Sequence, residues 1–496
     1  MMSSLGKAVL LPMLLLSTAI HAHAQTKQLT VPCMQKDLAL LWDAVQEVHP
    51  AYGLYTPADS LLEVYDQTIR SINHPLSVSE FIAATYPLIS ALKCGHTQLK
   101  YPLQYTPAAA DRLPRLPFQV LVQQGRAWVT THQLKEVSTG EELLSINSIP
   151  VKEIIKHGGD LYAADGNNQT FKELFLSEYD GFEDACNKYY HWQPPYIITL
   201  QSKQGVVRTI SVDTLPITAP AQEPLPPFDN YKDWHTSANT DYLPLRFFKD
   251  SATAWLEVHT YQYDDTLIYN KAFREIRENK VRNLIIDLRH NTGGDIRIAA
   301  HLLAYLASGP FQMVGDLWAR VPDPGKTNFD PYFDSLKTSS FKESFQPTGI
   351  KKNNRYPVEF HAGFRNLLQP INLEEANHFN GNLIVLIDGA TFSSGAHTAA
   401  AIRQYCNNAT FIGRETDGGS EGCSGGTIQC LTLPNSKVVV EFPLLRVVSV
   451  LRHPVYGHGV MPDITVTYTA AQVVTQEDRD LQEALNLLAN KAHTWH

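Results

Sequence analysis

Two short apolar runs, Leu284–Leu288 (LIIDL) and Leu383–Ile387 (LIVLI), constrain this chain more than any other feature. Neither alternates polar with apolar residues, so each reads as a strand buried on both faces, the pattern of a sheet wrapped by helices. The first stops at Arg289-His290-Asn291-Thr292-Gly293-Gly294. The second stops at Asp388-Gly389-Ala390-Thr391-Phe392-Ser393-Ser394-Gly395. A helical pattern follows each turn; the second, Ala396–Tyr405, carries three consecutive alanines suited to close packing. Strand, turn and helix recurring in this order predict βα units and an α/β core.

Such turns gather main-chain N–H groups and the positive end of a helix. A serine placed there either caps the helix or attacks a carbonyl whose oxyanion finds donors waiting. This stretch alone leaves both roles open. The paired glycines at 293 and 294 let backbone approach a ligand closely. A phosphate cradle would need G-x-x-x-x-G-K-[ST] or G-x-G-x-x-G, and neither stands here.

The remainder of the chain supplies the partners. Residues 1–24 combine Lys7, the apolar run Ala8–Ile20 and an Ala22-His23-Ala24 ending, the pattern of a cleavable export signal rather than a membrane span. The expectation is an exported protein, periplasmic or secreted, without a membrane span. Residues 25–105 are helical in pattern: Lys36–Val48 ends at His49-Pro50, Asp59–Ile72 follows, and Ser77–Leu92 opens on a Ser77-Val78-Ser79-Glu80 cap. Gly95 closes that helix, and Thr97–Tyr101 alternates as a strand. Residues 106–227 read mostly as β-strands, ending in a proline-rich linker over Pro216–Pro227. Residues 228–496 carry the βα units, with an aperiodic polar and aromatic insertion over Phe311–Asn380 expected near the site.

A formal charge of −9 with no basic run gives no purchase to nucleic acid or an anionic membrane. Six cysteines in 496 residues are too few for a disulfide framework, although Cys423 and Cys430 are close enough to pair across a hairpin. No C-x-x-C, H-E-x-x-H or clustered His/Asp/Glu set announces a metal, and no cofactor is expected. Asp287-Leu288-Arg289 has the look of an acidic catalytic group.

Four blocks together resemble the C-terminal processing peptidases, the family of serine peptidases that includes tail-specific and tricorn-type proteases. They are Asn283–Gly294, Asp388–Ala401, Ala409–Gly419 and Gly457–Thr465. The resemblance implies a crotonase-like (ClpP/crotonase) α/β peptidase core behind an N-terminal helical domain and a PDZ-like β-rich domain. Gly140–Ile155 is similar to part of the latter, and the resemblance makes Asp287 and Arg289 a structural ion pair rather than catalytic groups. It further implies a nucleophile at Ser394, with Ser393 as the alternative one residue away, and oxyanion donors at Gly293, Gly294 and Gly395. Ser–Lys members carry a lysine in a T-F-G-K-G block, whereas this chain has Thr416-Asp417-Gly418-Gly419. The tricorn-like branch instead draws a histidine from an H-T motif, which Gly95-His96-Thr97 matches. His96 is thus the expected base, since imidazole can take the serine proton and return it to the leaving amine. His397, one helical turn from Ser394, is the rival. Where the branch has an orienting glutamate this chain has Tyr456; Glu415, Asp417 and Glu421 are the other candidates for that role. The expected activity is cleavage of peptide or protein substrates through an acyl-enzyme. The competing reading is a catalytically degenerate protein on the same fold that holds a peptide tail or a lipophile.

Overall fold

The computed structural model describes residues 28–106, 115–212, 226–238, 243–262, 268–361 and 367–493. The export-signal pattern and most of the proline-rich linker fall outside these residues. The two apolar runs are neighbouring parallel strands, Asn283–Asp287 and Asn382–Ile387, registered Ile285 to Ile384. They lie at the middle of a seven-stranded sheet. Its order is Ile464–Thr465, Ala409–Gly413, Asn382–Ile387, Asn283–Asp287, Thr253–Glu257, Leu245–Phe248 and Trp234–Thr236. The first five run parallel and the last two are antiparallel additions.

The absence of alternation has a direct cause. Leu284, Ile286, Leu383, Val385 and Ile387 face a core shared with helices Ile296–Ala304 and Ser394–Tyr405. Ile285, Ile384 and Leu386 face a second core with Trp255, Ile412 and Leu481, Ala484 and Leu488 of the terminal helix Arg479–His493. Each such burial stabilises by about 1.5–3 kcal/mol, so both faces select apolar residues. At the sheet's end Arg289 bonds Asp287 and Asp478 and pairs with Asp480, a structural ion network as expected.

A second sheet decides where the N-terminal segment goes. Strand Gln98–Lys100 lies antiparallel on Val439–Val448, Leu99 opposite Val440. Val439–Val448 also pairs with Gly422–Thr432 and with Asp316–Ala319. The helix before this strand, Val78–Ala91, opens on the expected capping box of Ser77 and Glu80. The first helix, Val31–Val48, is pinned from the far end of the sequence: buried Asp37 accepts from the N–H groups of Asn435 and Ser436.

Two segments differ from the sequence reading. The 311–380 stretch is built, contributing Asp316–Ala319, Phe345–Pro347 and Tyr356–Phe360 to the second sheet and the helix Ser335–Ser344. Its aromatic spacing hid these strands because few of them alternate. Between the strands Phe118–Gln123 to Tyr196–Gln201 of a third sheet lie helices Val151–Asp160, Thr170–Glu178 and Gly181–Tyr190, so this unit is far less purely β than expected. The latter two helices cover the sheet through Phe171, Leu174, Phe182 and Ala185, all buried.

Candidate active site

Both sheet-to-helix turns converge on one point, and the strand at Gln98–Lys100 brings His96 to it. His96 Nε2 lies 3.0 Å from Ser393 Oγ, within hydrogen-bond reach. The imidazole leans on the Phe392 ring, centroids 4.3 Å apart. Its neighbour Thr97 is buried and hydrogen-bonded at 2.7 Å to Nε2 of buried His49, which closes the first helix. Gly95 donates its N–H to Asp165 Oδ1 at 2.8 Å. These contacts fix the His96 main chain on both sides.

The hydroxyl facing His96 is therefore that of Ser393, where the family spacing favoured Ser394. The reason is backbone geometry. Ser393 has φ 54° and ψ −125°, a sparsely populated conformation for a residue with a side chain. It turns the Ser393 hydroxyl out toward the imidazole. Ser394 is already the first helical residue, and its hydroxyl donates back to the Gly294 carbonyl at 2.8 Å. The turn is held by Phe392 N–H to Asn291 O and His397 N–H to Ser393 O, each 2.9 Å.

The glycine turn complements this. Gly293 and Gly294 have φ of 104° and 131°, and a Cβ on Gly293 would sit 2.8 Å from Ser393 Cβ and 3.2 Å from its Oγ. Only glycine leaves the space above the hydroxyl open. Of the expected oxyanion donors, Gly293 N–H is already given to Asn291 Oδ1 and Gly395 N–H to Phe392 O. The N–H groups of Gly294 and Ser394 have no partner among the described residues. They replace Gly293 and Gly395 as the available pair.

Residues 252–466 match the model of Peptidase family S41. The core belongs to that family, and the protein is a serine-type peptidase. Solved structures agree in fold. Mature CPAF complexed with lactacystin superposes with a TM-score of 0.57 at 14% identity, over 92% of this chain and 97% of that one. Mature CPAF does so with a TM-score of 0.55 at 16% identity, over 92% and 96%. No curated protein matches this chain in sequence.

The electrostatics of the peptidase's site keep the His96 imidazole neutral. Burial first, then the charges of His397 and Arg446, push the His96 imidazole down to about 3. The missing lysine also has a physical account: a Cβ at Gly419 would lie 2.6 Å from the Ala396 carbonyl oxygen and 2.7 Å from its Cβ, leaving no room for any side chain. His397, the rival base, instead faces Cys423, its Nε2 3.5 Å from Sγ. Cys423 and Cys430 lie on the same strand, Gly422–Thr432, and are free thiols; the pairing across a hairpin that their spacing left open is not made.

Tyr456 does not serve the imidazole. It is largely exposed, and its hydroxyl donates to the Leu54 carbonyl. Glu415 accepts from Gly459 N–H and Glu421 from Gly457 N–H, both bracing that turn. Among the described residues, one set has metal-ligand spacing: an atom each of His96, Asp165 and Cys423, all within 4.8 Å of one another. Burial and the nearby Asp165 hold the Cys423 thiol well above its usual range, so it stays protonated and ligates poorly. His96 moreover has one nitrogen committed to Ser393. Asp165 and Cys423 are bonded to Gly95 and His397 instead. Asp165, His49 and Arg446 escaped the sequence reading, because no local pattern links them to His96.

A pocket of about 330 Å³ opens beside Ser393. Ile296, Phe345, Phe360 and Val447 give it apolar lining, and Gly294 and His397 also line it.

Proposed function

We propose that Ser393 is the nucleophile and His96 its general base in the hydrolysis of peptide bonds in polypeptide substrates. The observation that carries this is the 3.0 Å contact between Ser393 Oγ and His96 Nε2. The imidazole takes the hydroxyl proton as Oγ attacks the carbonyl carbon, and the N–H groups of Gly294 and Ser394 receive the oxyanion. His96 then protonates the leaving amine, and water releases the acyl group by the reverse proton route. Removing one oxyanion donor in such a site costs about 10²–10³ in rate. The pocket beside Ser393 favours an apolar substrate side chain, because its aromatic and aliphatic walls gain from displacing water. We propose further that cleavage follows export, given the leader-like residues 1–24, and that the 106–227 unit acts as a PDZ-like holder of substrate tails.

A fluorophosphonate probe tests the assignment. Wild type and Ser394→Ala are labelled, while Ser393→Ala and His96→Ala are not. Labelling retained by Ser393→Ala would move the nucleophile elsewhere. A wild type that never labels yet retains peptides would return the chain to the binding-protein reading.

A further inference from the structure

For His96 Nε2 to accept the Ser393 proton, the other ring nitrogen must carry the hydrogen. That nitrogen, Nδ1, is fully buried and has no hydrogen-bond partner. A buried N–H without an acceptor is destabilising, and the cost grows once the ring becomes cationic. The site therefore calls for an acceptor on that side of the ring.

Two unpartnered carboxylate oxygens lie close to the His96 segment. Asp165 Oδ2 and Asp417 Oδ2 are both buried without partners, and the Asp165 N–H donates to Asp417 Oδ1 at 2.8 Å. Two neighbouring glycines make room for the carboxyls. A Cβ on Gly418 would fall 2.5 Å from Asp165 Oδ2, and one on Gly95 would fall 3.0 Å from Asp417 Oδ2. Asp165 shares a 4.8 Å envelope with His96, a span that one bridging water covers.

Resting on the Ser393–His96 reading above, we propose that Asp165, backed by Asp417, is the positioning acid of this peptidase, bound to His96 Nδ1 through one water. The acid thus comes from the loop before helix Thr170–Glu178, in place of the position now occupied by Tyr456. Burial raises both carboxyls above the ordinary carboxylate range, and the charge of Asp165 raises Asp417 further, so the pair together retains one proton. One negative charge remains. It lies in the 4.8 Å set that Asp165 forms with His96, and it is balanced by buried Arg446, whose guanidinium donates to the Tyr55 hydroxyl at 2.8 Å. Cys94 and Cys423 face Asp165, Lys172 and Glu415 face Asp417, and His397 and Arg446 face His96. As the serine proton arrives, the charge on Asp165 steadies the imidazolium; Asp165 itself gains no proton.

The rate constant of fluorophosphonate labelling against pH, measured on the full chain, tests this. Asp165→Asn should label about 10²–10³-fold more slowly with an unchanged thermal transition. Its acidic limb should move to lower pH, because an imidazole that loses a negative neighbour gives up its proton more readily. Asp417→Asn should move the limb the opposite way, leaving Asp165 fully ionised. Should Asp165→Asn fail to fold, Asp417→Asn carries the test alone. Limbs within 0.3 unit of wild type in the folded variants (about a twofold change in proton affinity) would overturn the proposal. Labelling that survives in Ser393→Ala would instead overturn the underlying assignment, so the two failures are distinguishable.

Discussion

The two turns that end strands Asn283–Asp287 and Asn382–Ile387 begin alike and are used differently. In the first, two glycines with positive φ turn the main chain toward the cleft, and the residues contribute N–H groups. In the second, a serine in a strained conformation turns its side chain toward the same cleft. Adjacent parallel strands therefore deliver main-chain N–H groups and the Ser393 hydroxyl at a fixed separation, since both ends are set by one sheet register. The lesson is that a βα turn is an aiming device whose product depends on whether Cβ is present.

The histidines at these turns carry the contrast into electrostatics. His290 in the first sits between Asp388 and Glu178 at 2.9 and 2.7 Å. Burial opposes its charge, but the bonds to these carboxylates raise it to about 10. His397, in the helix that follows the second, is buried, and burial followed by the charge of Arg446 lowers it to about 4. One histidine is held charged and the other neutral.

The largest effect comes from giving the first turn a side chain. Gly293→Ala puts Cβ against Ser393 and demands a backbone that alanine rarely adopts. Turnover should fall by about 10²-fold or more, with stability lower by roughly 1–3 kcal/mol; steady-state rates and calorimetry on the same sample check both. Equal rates would remove the need for open space above the hydroxyl.

Next in size is the acid response of the second turn. A histidine depressed in the folded state binds its proton first in the unfolded chain, so stability falls as pH drops below about 6.5 and stops falling near 4 for His397. The slope is on the order of 1.4 kcal/mol per pH unit. His397→Gln should flatten denaturant midpoints measured between pH 4 and 6.5, and an unchanged slope would refute a neutral His397.

The smallest effect belongs to the first turn. His290 is raised, so its contribution is present in full below about 6.5 and is lost as pH climbs through about 10. With 40% of its side chain exposed, solvent screening leaves the ion pair about 1 kcal/mol. His290→Gln should lower the unfolding midpoint at pH 7 and converge with wild type above pH 10. A gap that persists there would assign the loss to packing.

Much of this site was legible in the sequence. Leu284–Leu288 and Leu383–Ile387 announced a sheet covered on both faces, and the small-residue turns marked its working edge. His96 was reached through a motif, and the 3.0 Å contact now sets it beside a serine. The choice between Ser393 and Ser394 was not legible, because it turns on one φ angle imposed by contacts with Asn291 and Gly294. Asp165 was illegible for another reason. It meets Gly95 and Asp417 across 70 and 252 residues of sequence, and no periodicity records such a meeting. The helices Thr170–Glu178 and Gly181–Tyr190 were missed because they are short and rich in aromatic residues, whose weak helix preference tertiary packing overrides.

The short strand at Gln98–Lys100, laid against Val439–Val448, has a consequence for when this molecule becomes dangerous to its neighbours. A ribosome releases the imidazole some three hundred residues before the hydroxyl, and the strand that docks the first is not made until after the second. A growing or truncated chain thus carries every early part of the machinery and none of the reactivity. Chemistry switches on only when the two ends of the polypeptide close upon each other, so completeness of the fold is itself the safety catch.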